Sequence, residues 1–317
     1  MLKLLITRPL PAPVLAKAHD VFDVTIRDNT APLSRDEMIQ SLAEYDIVLP
    51  TLGDLYNTEV FAAAPNPRTK LLANFGVGYN HIDVTAAHAA GIEVTNTPGA
   101  VTDATADIAM MLMLMTCRRA GEGERMVRAG NWEGWHPTQL LGLHMSGKTL
   151  GVVGMGRIGQ AIGQRAHFGF GMEVKFYNRS AKEVPFPATQ IDVLTDLASS
   201  VDLLVIAVPG GAETRHMIDA TVMNAMQPHA HLVNIARGDV VKEDDLIAAL
   251  SDGKIAGAGL DVYEFEPKVP QALVGMENVT LLPHLGTAAL EVRTAMGLMA
   301  VDNAIAFANQ TPLPNAV

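Results

Sequence analysis

Apolar residues fall in short runs separated by longer stretches of mixed character. The runs cover 2–6, 47–49, 71–73, 150–153, 174–177, 203–208, 231–235 and 256–261, most of them flanked by polar or turn-forming residues. Short apolar runs bounded in this way read as strands. The stretches between them, such as 35–44 and 244–250, are helix-like. Strand and helix in alternation is the rhythm of parallel βαβ units, so the predicted fold class is α/β.

The third run leads into Asn74-Phe75-Gly76-Val77-Gly78 and the fourth into a turn beginning at Gly154, so each of two sheets has its own loop. Two α/β domains with a cleft between them are expected. Residues 103–117, rich in Ala, Met and Leu without Gly or Pro, predict a long apolar helix that needs cover on most sides, as core or as a subunit interface. Residues 130–145 carry both tryptophans, Trp132 and Trp135, in an irregular stretch that could wrap a partner subunit. A homodimer is the expected assembly.

Composition narrows the function. The 317 residues suit two domains, and 49% hydrophobic content is enough for ordinary globular cores. With 23 Lys and Arg against 34 Asp and Glu, the net charge of −11 repels phosphate backbones and anionic lipid, so nucleic acid and membrane are not expected partners. No apolar segment approaches the ~20 residues of a membrane helix, and residues 1–7 do not read as a signal peptide, so a complete, unprocessed chain is expected. The single cysteine, Cys117, cannot form an internal disulfide, which fits a reducing, cytoplasmic setting. His229 and His231 could share a strand face but lack a third ligand, so no metal is predicted.

The residues that fix a cofactor follow the strand 149–153. Gly154-Met155-Gly156-Arg157-Ile158-Gly159 opens a helix from Gln160 onward, the strand–turn–helix context a dinucleotide fingerprint requires. The first glycine permits the turn, the second lets a pyrophosphate approach the backbone, and the third allows close packing of helix on strand. The next strand, 173–177, ends in Asn178-Arg179-Ser180 where an NAD site usually presents an acidic residue to the adenine ribose. Arg179 could pair with a 2′-phosphate while Asn178 and Ser180 donate hydrogen bonds, so NADP(H) is expected in preference to NAD(H).

Three further residues stand after strands in the second half: Arg237 in Asn234-Ile235-Ala236-Arg237-Gly238, Glu266 in Asp261-Val262-Tyr263-Glu264-Phe265-Glu266-Pro267, and His284 in Pro283-His284-Leu285-Gly286. Open α/β sheets bind ligands at these strand ends. Together with Asn74-Phe75-Gly76-Val77-Gly78-Tyr79, Thr105-Ala106-Asp107 and the glycine turn, these segments resemble the D-isomer-specific 2-hydroxyacid dehydrogenases from about Thr51 to Thr287.

The resemblance implies that His284 exchanges a proton with the substrate oxygen, that Glu266 holds the imidazole and favours its charged form, and that Arg237 binds the substrate carboxylate. Glu264 is the competing carboxylate, and the family's Glu stands directly before Pro, as Glu266 does. Backbone N–H groups of Val77 and Gly78, with Leu52 and Gly53, are implied on the substrate side. On the cofactor side are Thr105, Gly154, Met155, Gly156, Arg157, Ile158, Asn178, Arg179, Ser180, Val208, Pro209, Thr214, Ile235, Ala236, Arg237, Asp261, His284 and Gly286. The substrate domain is implied to comprise residues 1–98 and 287–317, with a dinucleotide-binding domain at 99–286, and catalysis to need domain closure.

Within the family the sequence is most similar to glyoxylate and hydroxypyruvate reductases that prefer NADPH, which implies reduction of a small 2-keto acid to the D-2-hydroxy acid. Gln139 stands where mammalian members of that group have a Trp, which implies a more polar pocket and keeps 2-ketogluconate reduction as the alternative. A dinucleotide-sensing binding module, as in related corepressors, is the reading from another class.

Overall fold

The computed structural model describes residues 1–317. The chain divides into two compact units, Met1–Val101 with Thr287–Val317, and Thr102–Gly286. The first break falls at Val101 rather than at 98 because the opening helix of the second unit starts at Thr102.

The first unit holds strands β1 (Lys3–Ile6), β2 (Asp23–Ile26), β3 (Ile47–Leu49), β4 (Leu71–Ala73) and β5 (Glu93–Thr95) in the all-parallel order β2-β1-β3-β4-β5. This is a flavodoxin-like order. Successive side chains of a strand point to opposite faces, so Leu5 joins Leu42, Val48, Tyr56 and Leu72 in one core while Leu4 and Ile6 join Val14, Phe22, Leu49 and Val301 in the other. The second core needs the final helix, Leu290–Ala308, which returns the chain to this unit and packs on the helix Ala12–His19.

The second unit holds β6 (Thr149–Val153), β7 (Glu173–Tyr177), β8 (Thr189–Gln190), β9 (Leu203–Ile206), β10 (His231–Asn234), β11 (Gly257–Leu260) and β12 (Val279–Leu281), again all parallel, in the order β12-β11-β10-β9-β6-β7-β8. Counted from β6, this is the doubly wound dinucleotide-binding order with one more strand at the edge. The apolar helix Thr102–Cys117 packs over β10 and β11 and against the helix Arg157–Gln164, burying Ala106, Ala109, Leu112, Met113 and Cys117. Its outward residues Met111, Leu114 and Met115 line a depression of about 580 Å³ with Phe168 and Phe170. Residues 130–145 are irregular, with Trp132 and Trp135 exposed.

The hydrophobic pattern finds the central strands and misses four: β2, β5, β8 and β12. All four are sheet edges. An edge strand has one neighbour, so it is shorter or more polar; β2 alternates exposed and half-buried positions. The pattern also overruns β9, β10 and β11, which end at Ile206, Asn234 and Leu260. The apolar residues beyond those ends leave the ladder and build the loops described below. The helix expected from Gln160 begins at Arg157 and passes into a π-helical turn, Arg165–Gly169.

Candidate active site

In the second unit the glycine turn, the 178–180 loop, residues 207–214, Ile235–Arg237, Asp261–Glu266 and His284 all follow the carboxyl ends of parallel strands. The three glycines of the turn do different work. Gly154 has φ +98°, and a Cβ there would lie 2.8–2.9 Å from Val208 and Ala207. A Cβ on Gly159 would lie 2.1 Å from the Gly154 carbonyl oxygen, so only glycine lets the helix approach the strand this closely. Gly156 is exposed, and a Cβ there would meet nothing within 4 Å. It is the N-cap of Arg157–Gln164 and caps it with no side chain, leaving the N–H groups of the first turn open to an anion. Open space, free donors and a helix N-terminus fit a dinucleotide pyrophosphate.

At the end of β7, Asn178 is committed within the protein: its Oδ1 accepts from Met155 N at 3.2 Å and its Nδ2 donates to the Ser180 carbonyl at 2.9 Å. It ties this loop to the glycine turn, a use the sequence does not suggest. Arg179 is 85% exposed and paired with Glu213. Thr214 closes the 209–214 loop by donating to the Pro209 carbonyl at 2.7 Å.

The catalytic candidates are set by polar ties. His284 Nδ1 lies 3.0 Å from Glu266 Oε2, and Glu266 Oε1 accepts from Tyr263 N at 3.1 Å. Burial pushes the Glu266 carboxyl up, but the hydrogen bond and charge of His284, the Tyr263 N–H and the Arg237 guanidinium together hold it below its ordinary value. Glu264 is turned elsewhere, 2.7 Å from His216 Nε2 and 3.4 Å from Arg215. Arg237 is half-buried; burial draws its pKa down while Glu266 and Asp239 oppose this, and a guanidinium stays charged. Asn234, at the last position of β10, clamps the Arg237 turn by donating to the Arg237 carbonyl at 2.9 Å and accepting from Ala236 N at 3.0 Å.

His284 has φ +54°, a left-handed conformation that costs a non-glycine residue about 1–2 kcal/mol. Asp261 supports it. This residue is 1% exposed, and its two carboxylate oxygens accept from Leu285 N at 2.6 Å and Gly286 N at 2.9 Å. Thr105 completes the support by donating to the Gly286 carbonyl at 3.2 Å. Asp261, Thr105 and Gly286 thus carry the turn that presents His284.

In the first unit, Gly53 has φ +101°, and the Leu52 carbonyl accepts from Arg8 at 2.5 Å. Val77 is exposed and Gly78 half-buried in the loop after β4. No cluster of three or more His, Cys, Asp or Glu side chains is placed to hold a metal ion. Burial pushes the Cys117 thiol up to about 12, so it is no nucleophile at neutral pH. No helix is long and apolar enough to cross a membrane.

A glycine turn of this kind holds a dinucleotide, and an imidazole locked by a carboxylate within reach of a guanidinium can move a proton at a polarised carbonyl; the pair defines a dinucleotide-dependent oxidoreductase. Comparison with known proteins agrees. Residues 110–286 match the family D-isomer specific 2-hydroxyacid dehydrogenase, NAD binding domain. The chain is 41% identical over 321 residues to the glyoxylate reductase of Thermococcus onnurineus, covering 99% of this chain and 95% of the relative. It is 38% identical over 304 residues to the glycerate dehydrogenase of Hyphomicrobium methylovorum, covering 95% and 94%. The crystal structure of the NADPH-dependent glyoxylate/hydroxypyruvate reductase of Sinorhizobium meliloti with NADP and malonate superposes with a TM-score of 0.86 at 35% identity, covering 99% of this chain and 96% of that one. The chain belongs to the D-isomer specific 2-hydroxyacid dehydrogenase family and is a 2-hydroxyacid oxidoreductase that uses a nicotinamide dinucleotide.

Proposed function

We propose that the protein reduces glyoxylate and hydroxypyruvate to the corresponding 2-hydroxy acids, of D configuration where the product is chiral, with NADPH preferred over NADH. The observation that carries this reading is the His284–Glu266 pair at 3.0 Å, presented at the same sheet end as the glycine turn. Reduction of a glyoxylate-type keto acid is supported by the relatives, which carry glyoxylate reductase and glycerate dehydrogenase names.

A bound reduced nicotinamide supplies the hydride. The glycine turn and the loops 178–180 and 207–214 hold the cofactor. His284 Nδ1 is committed to Glu266, so Nε2 is the nitrogen that gives its proton to the substrate oxygen. Glu266, kept ionised, stabilises the protonated ring and fixes its orientation. Arg237 binds the substrate carboxylate and polarises the carbonyl, and in the first unit the N–H groups of Val77 and Gly78 are carboxylate donors. NADPH preference rests on the absence of an acidic residue after β7 and on the exposed Arg179.

We further propose that the working form is a cytoplasmic homodimer. The outer face of Thr102–Cys117 and the 70% exposed Phe168 line an apolar surface that a second copy would cover, and Trp132 and Trp135 are exposed on the irregular stretch 130–145. The one cysteine is free and buried, as suits a reducing compartment.

Initial rates of NADPH and NADH oxidation with glyoxylate, hydroxypyruvate, pyruvate and 2-ketogluconate test substrate and cofactor together. Fast NADPH-dependent turnover of the first two is expected. Strong preference for 2-ketogluconate would move the substrate assignment, and no turnover with any of them would favour a dinucleotide-sensing role.

A further inference from the structure

The loop after β4 has all three of its central carbonyls occupied from inside the first unit. Asn74, fully buried, donates from Nδ2 to the Gly76 carbonyl at 3.0 Å and to the Gly78 carbonyl at 3.1 Å. Asn96 donates to the Val77 carbonyl at 2.9 Å. The N–H groups of Val77, Gly78 and Tyr79 have no acceptor within the protein.

These two facts are linked through the planarity of the peptide. In a trans peptide the C=O of one residue and the N–H of the next point in opposite directions. Drawing the Gly76 and Gly78 carbonyls inward therefore turns the Val77 and Tyr79 N–H groups outward, and the Asn96 contact does the same for Gly78 N–H. Short glycine-containing loops otherwise exchange such peptide orientations at little cost. Both amide hydrogens of Asn74 are taken by carbonyls, so its Oδ1 has to be the acceptor at its other end. That oxygen lies 3.0 Å from His81 Nε2, and His81 is 6% exposed. The imidazole therefore carries its proton on Nε2 and donates it to Asn74, which locks the amide against a flip.

We propose that Asn74, locked by His81, is a positioning residue for substrate binding: together with Thr97 N, which also donates to the Gly76 carbonyl at 3.0 Å, it holds the N–H groups of Val77 and Tyr79 in the orientation that receives the substrate carboxylate. This inference rests on the proposed role of that loop and adds Tyr79 N–H as a third donor. It assigns a purpose to a buried Asn–His pair.

The test is a kinetic split in the full-length enzyme. For Asn74→Ala the KM for glyoxylate rises at least ~10-fold, the loss expected for weakened hydrogen bonds to a charged group, while kcat changes less than ~3-fold and the KM for NADPH stays within ~2-fold. His81→Phe shifts the glyoxylate KM in the same direction, and His81→Gln, whose amide can donate in place of Nε2, restores most of it. A merely structural role would lower the folded fraction and leave the KM of the folded enzyme alone. An unchanged glyoxylate KM in folded Asn74→Ala and His81→Phe overturns the inference, as does a loss confined to kcat. If the wild-type protein turns over no glyoxylate, the functional reading fails separately. Calorimetric binding of oxamate to the NADPH-loaded protein then still decides this inference: a ~10-fold weakening in Asn74→Ala supports it, and equal affinity overturns it.

Discussion

The second and third glycines of the turn make opposite predictions although they stand only three positions apart. At Gly159 a Cβ would lie 2.1 Å from the Gly154 carbonyl oxygen, against about 3.4 Å for ordinary contact, so the helix has to move about 1 Å off the strand. Overpacking of that kind costs about 1–3 kcal/mol. For a unit of this size Gly159→Ala should therefore lower Tm by roughly 3–10 °C. At Gly156 a Cβ meets nothing within 4 Å, and the backbone at φ −75° and ψ −166° accepts any side chain. Gly156→Val should then cost the fold no more than ~1 kcal/mol, the loss expected because valine is a poorer N-cap than glycine. Its isopropyl group would occupy the space through which a pyrophosphate approaches the backbone, and NADPH affinity should fall at least ~100-fold. Thermal unfolding without cofactor and NADPH fluorescence titration, run on both variants, separate the two effects. A Gly156→Val protein that binds NADPH as the wild type does, or that unfolds as early as Gly159→Ala, would refute this assignment of the turn.

His284→Ala should reduce turnover at least ~100-fold, the range for a positioned acid, and Glu266→Gln should reduce it less; steady-state rates near wild type for His284→Ala would remove it from the chemistry. Arg179→Ala should weaken NADPH ~10-fold or more with little effect on NADH, and Glu213→Gln, which frees Arg179 from its carboxylate partner, should tighten NADPH; equal losses for both cofactors in Arg179→Ala would exclude the phosphate contact. Burial pushes the imidazole of His231 from 6.5 down to about 4, so the folded state holds it neutral while the unfolded chain takes up a proton below about 6.5. Its contribution is complete above that pH and is lost as pH falls through the window toward 4, reaching ~2 kcal/mol at pH 5. Urea unfolding of wild type and His231→Gln at pH 7 and pH 5 should show a smaller acid loss in the variant; identical losses would contradict the assignment.

What could be read from sequence was local. The β6 strand, its glycines and the helix behind them lie within a few turns of chain, and the apolar runs of β1, β3, β4, β9, β10 and β11 report strands covered on both faces. The edge strands β2, β5, β8 and β12 escaped because each is only two to four residues long and carries polar residues such as Thr25, Thr95, Gln190 and Thr280, which leaves no continuous apolar run. His284, Glu266 and Arg237 became legible through motif resemblance, since nothing in their spacing says that Glu266 and His284 meet. The supporting roles of Asp261 and Asn178, which the resemblance places on the cofactor side, were illegible for the same reason. Asp261 finds its use 24 and 25 positions later at Leu285 and Gly286, and Asn178 finds its use 23 positions earlier at Met155. Asn74 and His81 lie seven apart, and only the folded loop shows that one amide holds two carbonyls.

The measurement that bears most directly on the central claim is the stoichiometry and chirality of hydroxypyruvate reduction. NADPH loss is followed at 340 nm and the glycerate formed is resolved by chiral chromatography. The account predicts one D-glycerate per NADPH oxidised, abolished together in His284→Ala. L-glycerate as the product, or NADPH and hydroxypyruvate left unconsumed by the folded wild-type enzyme, would contradict it.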